Sequence, residues 1–188
     1  MILFVGQVGT DVMGREAFQE VDYTAFFGPL AKWAVQIDHV DRVPEIISRA
    51  WTVAMSGRPG PVVVALPEDM LVATSDRLPC NPVAIPEPAV PEAGAAQIAA
   101  MLGAAERPVM LVGGTRWTAC SARALESFSA VNDVPVVAAF RFHDIIDNHC
   151  PSFVGDAGVA MNAYMKDLLR QADLIVAINI RFGESTTD

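Results

Sequence analysis

Glycine, threonine and arginine residues that could bind a phosphate follow three apolar runs of the sequence. Gly113, Gly114 and Thr115 follow the first run, Arg141 follows the second and Arg181 follows the third. Glycines let a backbone approach a phosphate closely, and a helix that begins beyond them offers unpaired N–H groups. Two arginines at strand ends could neutralise a diphosphate. Because open α/β sheets bind ligands outside the carboxyl ends of their strands, these residues indicate a nucleotide site.

The same residues also admit a simpler interpretation. The full GxGxxG fingerprint is absent, so the glycines could form only a tight strand-to-helix turn, and each arginine could be an ordinary surface residue. Arg116 and Trp117 could offer a cation and a stacking face to a nucleotide, or could be exposed residues of a helix cap. His39, His143 and His149 match no standard ligand spacing, so no metal site is predicted.

The composition is that of a folded protein with a sizeable core. Hydrophobic residues make up 52% of the 188 residues and charged residues 19%, which argues against disorder. A net charge of −9 without a basic stripe argues against nucleic-acid and anionic-membrane partners. No signal peptide or membrane-spanning run is recognisable, and the three cysteines form no CxxC pair. These features together predict a cytoplasmic protein.

Apolar runs alternate with helical patterns along the whole chain. Strands are predicted near residues 2–5, 32–37, 62–66, 108–112, 135–139 and 174–178, and helices near residues 16–21, 43–54, 93–105, 121–131 and 162–171. The strand at residues 2–5 is predicted to be buried, and Asp41 is a candidate N-cap for the second helix. The alternation predicts an α/β fold with parallel sheets flanked by helices.

A proline-rich segment divides this pattern in two. The prolines concerned are Pro79, Pro82, Pro86, Pro88 and Pro91. Such a composition is typical of an extended, semi-rigid connector, which we place at residues 73–92. It separates a partial N-terminal α/β domain at residues 1–72 from a doubly wound, Rossmann-like domain at residues 93–188. Because the first strand begins at residue 2 and the second sheet has few strands, we expect a piece of a longer protein.

Several motifs resemble one enzyme family in their order and spacing. Residues 17–22 read Ala-Phe-Gln-Glu-Val-Asp, and residues 56–67 read Ser-Gly-Arg-Pro-Gly-Pro-Val-Val-Val-Ala-Leu-Pro. Further along, residues 107–114 read Arg-Pro-Val-Met-Leu-Val-Gly-Gly, and an Ala-Asp-Leu strand at residue 172 precedes Arg181. These motifs resemble thiamine-diphosphate-dependent enzymes of the acetolactate-synthase-like family. The resemblance covers the second half of the pyrimidine-binding domain and most of the central domain.

The resemblance implies a chemistry that this chain could serve only in part. In that family the cofactor, held with Mg²⁺, attacks a small 2-keto acid, which then loses carbon dioxide. The activating glutamate and the Mg²⁺ site lie in parts of the family fold that this sequence does not match, so we expect the chain alone to be inactive. The family also implies a homodimer or homotetramer, and FAD or ADP in the central domain.

The resemblance assigns roles to individual residues. Phe18 and Gln19 are the candidate catalytic residues, because they match positions that line the approach to the thiazolium ring and the substrate. The candidate cofactor-binding residues, from the resemblance or from the strand-end pattern, are Gln7, Val8, Arg58, Gly113, Gly114, Thr115, Arg141 and Arg181.

Four positions depart from the pattern of true acetolactate synthases. Gly9 stands where a proline is usual, and Glu68 replaces a lysine. Ser185 occupies the position of an arginine that handles the second keto acid, and Thr115 replaces the third glycine of the turn. These departures argue against acetohydroxyacid synthesis proper. They leave open the substrate, and whether the central domain binds FAD, ADP or nothing.

A second functional class remains as an alternative. Central domains of this kind resemble those of sirtuins and electron-transfer flavoproteins, so the chain could be a non-catalytic nucleotide-binding or structural module of Rossmann-like fold. The first seventy residues discriminate between the two classes, because such a module has no need of them.

Overall fold

A computed structural model describes residues 1–81, 83–86 and 88–187 of the chain. The chain divides into two compact units, Met1–Pro88 and Ala89–Asp188. The division falls inside the segment predicted as a connector, of which Pro82 and Glu87 lie outside the described residues. The assignment of each unit to a particular domain stays a prediction. Within the described part of the chain, no helix has the length and apolar character needed to cross a membrane.

The first unit is built on a three-stranded parallel sheet. Its elements are β1 (Ile2–Gln7), α1 (Tyr23–Phe27), β2 (Trp33–Gln36), α2 (Val43–Met55), β3 (Val62–Pro67) and α3 (Glu68–Val72). The strand order is β1-β3-β2, so β3 is central. Its residues Val62 and Val64 are fully buried and share a core cluster with Ile46 and Ala50 of α2. The amphipathic helix therefore covers one face of the sheet, as its apolar spacing predicts.

The helix predicted at residues 16–21 is wrong. The segment forms turns instead, because Glu16 and Gln19 have φ angles of 56° and 66° in the left-handed region. The Glu20 carboxylate accepts backbone N–H groups of the same loop, which offers the chain an alternative to helical hydrogen bonds. The helix of this region begins later, at Tyr23–Phe27.

Two further expectations for this unit need correction. The strand at residues 2–5 is present, but β1 is an edge strand of the described sheet and Phe4 is 49% exposed rather than buried. Asp41 does not cap the second helix, because it lies within a short 3₁₀ helix, Val40–Arg42, that precedes α2. The apolar composition identified the strand correctly but could not show how many neighbours it has.

The second unit is a four-stranded parallel sheet with helices on both faces. Its elements are α4 (Glu92–Ala104), β4 (Pro108–Val112), α5 (Ala119–Asn132), β5 (Val136–Ala139), β6 (Phe153–Ala157), α6 (Ala163–Gln171), β7 (Leu174–Ile178) and α7 (Glu184–Thr187). The order is β6-β5-β4-β7. Met110 packs in one core cluster with Leu125 of α5, and Leu111 packs in another with Met165 of α6. This arrangement confirms the doubly wound, Rossmann-like prediction.

A capping box of two side chains fixes where α5 begins, and a residue in the left-handed conformation ends it. Thr118 and Ser121 cap each other's backbone N–H groups at its first turn, and Asp133 ends it in the left-handed conformation. The helix consequently starts four residues after the glycine turn that follows β4. This places the first turn of α5 close to the predicted nucleotide site.

Asp173 ties the start of β7 to the segment that enters β4. Its carboxylate accepts the backbone N–H groups of Glu106 and Arg107 at 2.7 and 2.8 Å. These hydrogen bonds, that of Glu106 first, lower the pKa of Asp173. The two strands are paired over their whole length from this point, so the tie helps to set their register.

Candidate functional site

Three predicted phosphate-binding segments lie on one edge of the second sheet. The central strand β4 pairs in parallel with β5 on one side and with β7 on the other, and Val112 stands opposite both Ala138 and Ile178. Because the three strands end at the same level, the segments that follow them emerge side by side. The sheet topology therefore gives the arrangement that the nucleotide interpretation requires.

A cavity of about 410 Å³ opens beside the glycine turn. Its volume falls within the range that small-ligand sites occupy. Residues of the turn, of the first turn of α5 and of the segment after β5 line it, among them Gly114, Thr115, Arg116, Trp117, Arg141 and Asp144. Three of these, Gly114, Thr115 and Arg141, are predicted site residues. The cavity thus has an open backbone turn, cationic side chains and one carboxylate at its wall.

Gly114 is required at its position by both conformation and space. Its φ angle is +72°, which residues other than glycine, asparagine and aspartate rarely adopt. A Cβ at this position would lie 2.1 Å from the backbone oxygen of Asn179. Gly113, its buried neighbour, also has little room, since a Cβ would meet the Ala139 side chain at 3.0 Å. The two glycines therefore permit a close approach of the turn to the end of β7.

Two side chains hold carbonyl groups of this turn. The indole Nε1 of Trp117 donates to the carbonyl oxygen of Gly113 at 2.8 Å. The side-chain amide of Asn179 donates to the carbonyl oxygen of Thr115 at 2.6 Å. Sequence reasoning singled out Trp117 but not the role of Asn179. The only local signal would have been an asparagine directly after a strand, a residue that tolerates the left-handed conformation.

The two predicted arginines of this edge differ in their placement. Arg141 lines the cavity, with a φ angle of 72° and its guanidinium 4.9 Å from the ring centre of Phe140. Arg181 follows β7 as predicted but is exposed, and it is not among the described residues that line the cavity. Asp144, which the sequence interpretation did not assign to the site, lines it instead. The cavity wall therefore combines Arg141 with a hydrogen-bond acceptor.

The predicted catalytic residues lie on a loop of the first unit. Phe18 is 89% exposed, and Gln19 beside it is also exposed. The Glu20 carboxylate accepts the N–H groups of Gly14 and Ala17, and these bonds, that of Gly14 first, lower the pKa of Glu20. The loop is thus pinned from within, so that it presents Phe18 and Gln19 at its tip.

Further polar contacts fasten the ends of this loop. Gln7 is buried, and its Nε2 donates to the carbonyl oxygen of Val21 at 2.6 Å while its Oε1 accepts the N–H of Val8. The Asp69 carboxylate accepts both the hydroxyl and the N–H of Thr10, the hydroxyl bond being the larger cause of a lowered pKa at Asp69. The hydrogen bonds of the Gln7 side chain therefore hold the start of the loop, at Val8, to its end, at Val21.

Arg58 lies in the turn between α2 and β3 and is exposed. Its carbonyl oxygen accepts the Lys32 ammonium at 3.0 Å, while Lys32 also bonds the carbonyl oxygen of Ser56. The lysine thus steadies the turn that carries the arginine. Arg58 belongs to the first unit, whereas the cavity belongs to the second.

The described residues contain no group of three or more histidine, cysteine, aspartate or glutamate side chains placed to hold a metal ion. His149 contacts Asp147 at 3.0 Å, but this pair is highly exposed and lacks a third ligand. We therefore assign no metal site to the described residues.

Comparison with known proteins identifies the class to which this site and fold belong. Residues 95–188, the second half of the chain, match the family described as "Thiamine pyrophosphate enzyme, central domain". The chain belongs to this family. The doubly wound sheet of the second unit, with its cavity beside the glycine turn, is the part of the structure that corresponds to the match.

Individual relatives extend the similarity to the first unit. The large subunit of acetolactate synthase isozyme 2 from Escherichia coli (strain K12) is 29% identical over 187 residues, covering 100% of this chain and 34% of the relative. The mitochondrial acetolactate synthase catalytic subunit of Saccharomyces cerevisiae is 32% identical over 199 residues, covering 100% of this chain and 29% of the relative. The resemblance to acetolactate-synthase-like enzymes is confirmed, and the chain spans about a third of such relatives.

Proposed function

We propose that this chain is part of a thiamine-diphosphate-dependent enzyme that decarboxylates a small 2-keto acid or joins it to an acceptor. The similarity of the entire chain to acetolactate synthase subunits, first unit included, is the observation that carries the proposal. A non-catalytic nucleotide module would have no need of the first unit. We further propose the domain assignment of residues 1–72 to a pyrimidine-binding domain, 73–92 to a connector and 93–188 to a central domain.

For the second unit we propose a binding site for the diphosphate of a nucleotide, either FAD or ADP. Support comes from the cavity beside the Gly114–Thr115 turn, with Arg141 at its wall. A diphosphate would accept hydrogen bonds from the turn and from the arginine. Asp144 would accept a hydrogen bond from a hydroxyl or amino group of the nucleoside. Arg181 remains a proposed contributor from outside the described cavity wall, and cofactor binding by Arg58 stays a separate proposal for the first unit.

Titration of the purified chain with FAD and with ADP tests this site and separates the two ligands. Retention of a flavin absorption band after dialysis would identify FAD, whereas saturable heat from ADP alone would identify the smaller nucleotide. If neither nucleotide binds at millimolar concentration, the proposed nucleotide site is refuted. Binding to the Arg141→Ala variant with unchanged affinity would also count against the assigned location.

For the first unit we propose that Phe18 and Gln19 face the reacting part of the cofactor and the substrate. Their exposure at the tip of an internally pinned loop supports this role, because such a loop can present side chains to another part of a larger enzyme. The cofactor itself would supply an electron sink for the carbanion left by decarboxylation. The chain's own contribution is to position the two side chains.

We also propose that catalysis needs polypeptide beyond the described residues and that the active enzyme is a cytoplasmic homodimer or homotetramer. The chain's match to only 34% and 29% of two acetolactate synthase subunits supports the first point. The substitutions Gly9, Glu68 and Ser185 favour a reaction other than acetohydroxyacid synthesis. Assays of carbon dioxide release, with a panel of 2-keto acids, thiamine diphosphate and Mg²⁺, should find no turnover by the 188-residue chain and cofactor-dependent turnover by a longer protein that contains it. The absence of turnover by that longer protein with every keto acid would refute the enzyme proposal.

A further inference from the structure

Asn179 is held in an unusual conformation next to the glycine turn. It follows β7 directly and has a φ angle of 54°, in the left-handed region where asparagine is one of the few tolerated residues. Its side-chain Nδ2 reaches back across the sheet edge and donates to the carbonyl oxygen of Thr115 at 2.6 Å. The contact joins residues 64 positions apart, so it fixes the turn to the end of a neighbouring strand.

The contact of Asn179 is one of two that restrain carbonyl groups of the turn. Trp117 holds the carbonyl oxygen of Gly113, and Asn179 holds that of Thr115. Within the described part of the chain, the N–H groups of Gly114 and Thr115 donate no hydrogen bond. Successive N–H groups near a left-handed residue make a concave site for an anion. The Gly113 carbonyl lies in the peptide that carries the Gly114 N–H, and the Thr115 carbonyl lies in the peptide that follows the Thr115 N–H. The two side chains therefore restrain the turn on both sides of the N–H groups that it offers to a ligand.

We propose that Asn179 is a positioning residue for nucleotide binding, which fixes the Thr115 peptide so that the turn is preorganised for a phosphate. The inference rests on the proposed nucleotide site of the second unit. Asn179 need not touch the ligand for this role. Without its amide, the Thr115 carbonyl is free to rotate, and the ligand has to order the turn when it binds.

The test replaces, one at a time in the intact chain, two residues that adopt the left-handed conformation, Asn179 and Asp133. Asn179→Gly removes the side-chain amide, while glycine accepts the left-handed conformation. Asp133→Gly is the matched control, because Asp133 has a φ angle of 52° at the exposed end of α5, away from the cavity lining. Calorimetric titration with ADP and with FAD gives the affinities. The loss of one net hydrogen bond of preorganisation predicts that affinity falls about three- to tenfold for Asn179→Gly and not for Asp133→Gly.

A purely structural role of Asn179 makes a different prediction. It would lower the melting temperature of Asn179→Gly without changing affinity at a temperature where the variant is folded. Equal affinities of the wild-type chain and Asn179→Gly would therefore overturn the proposal. Amide NMR shifts of Gly114 and Thr115 in the ligand-free protein provide a second readout, and the proposal is also overturned if the substitution leaves them unchanged. Failure of the wild-type chain to bind either nucleotide would refute the underlying site instead.

Discussion

Replacement of Gly114 by alanine tests the geometry of the turn beside the cavity. An L residue at a φ angle of +72° costs about 1–2 kcal/mol relative to its preferred conformations. The new Cβ would also lie 2.1 Å from the backbone oxygen of Asn179, so the turn and the end of β7 must separate. That movement breaks the hydrogen bond between Asn179 and Thr115, worth about 0.5–1.5 kcal/mol.

The two effects together predict that Gly114→Ala lowers the free energy of unfolding of the second unit by about 1.5–3.5 kcal/mol. Gly103→Ala is the matched control, because Gly103 lies within α4 and a Cβ there meets nothing within 4 Å. Alanine is favoured over glycine in a helix by about 0.5–1 kcal/mol, so the control should be more stable than the wild-type chain.

Hydrogen exchange of the β4 and β7 amides measures the stability of the second unit separately from that of the first. Calorimetric titration of the folded variant with ADP then measures the effect on the proposed site, where we expect at least a tenfold loss of affinity for Gly114→Ala and none for Gly103→Ala. The reasoning is refuted if Gly114→Ala keeps both the protection of these amides and the affinity for nucleotide.

Three further substitutions test the loop, the acid stability and the cavity charge. Glu20→Gln weakens the acceptor that pins residues 14–17, so the amides there should exchange faster, whereas Glu16→Gln on the same loop should leave them unchanged. The pKa of Asp173 is lowered in the folded state, so its contribution to stability is present above the pKa of the unfolded chain and is lost as the pH falls through the folded value. Asp173→Asn should therefore flatten the loss of stability below about pH 4 in acid titrations followed by circular dichroism, and an unaltered acid limb would contradict this assignment. Arg141→Met should weaken ADP binding and reduce its salt dependence in calorimetric titrations, and an unchanged salt dependence would place the arginine outside the phosphate site.

The strands of strong apolar character could be predicted from sequence because they are buried on both faces. Residues 108–112 and 62–66 have almost no polar residues, and burial in a parallel sheet explains both runs. Strand β6 was missed because Gly155 and Asp156 interrupt its apolar pattern. Tertiary pairing with β5 makes it a strand in spite of its composition.

In the candidate site, too, features set by the local sequence could be predicted, whereas contacts between residues distant in sequence could not. Gly114, Thr115 and Arg141 could be placed at one sheet edge, because parallel topology brings the ends of strands together. The hydrogen bond of Asn179 to Thr115 could not be predicted, because the two residues lie 64 positions apart and only the fold reveals the contact. The turns at residues 16–21 were mistaken for a helix, since the capture of backbone N–H groups by a carboxylate leaves no periodic signal.

Amide NMR of the intact chain during titration with ADP or FAD tests the central claim most directly, because it locates a ligand residue by residue. We expect the largest shifts at Gly114, Thr115 and Arg141, with the amides of the first unit little changed. The proposed nucleotide site is contradicted if saturating nucleotide shifts none of these amides, or if the shifts lie elsewhere on the chain.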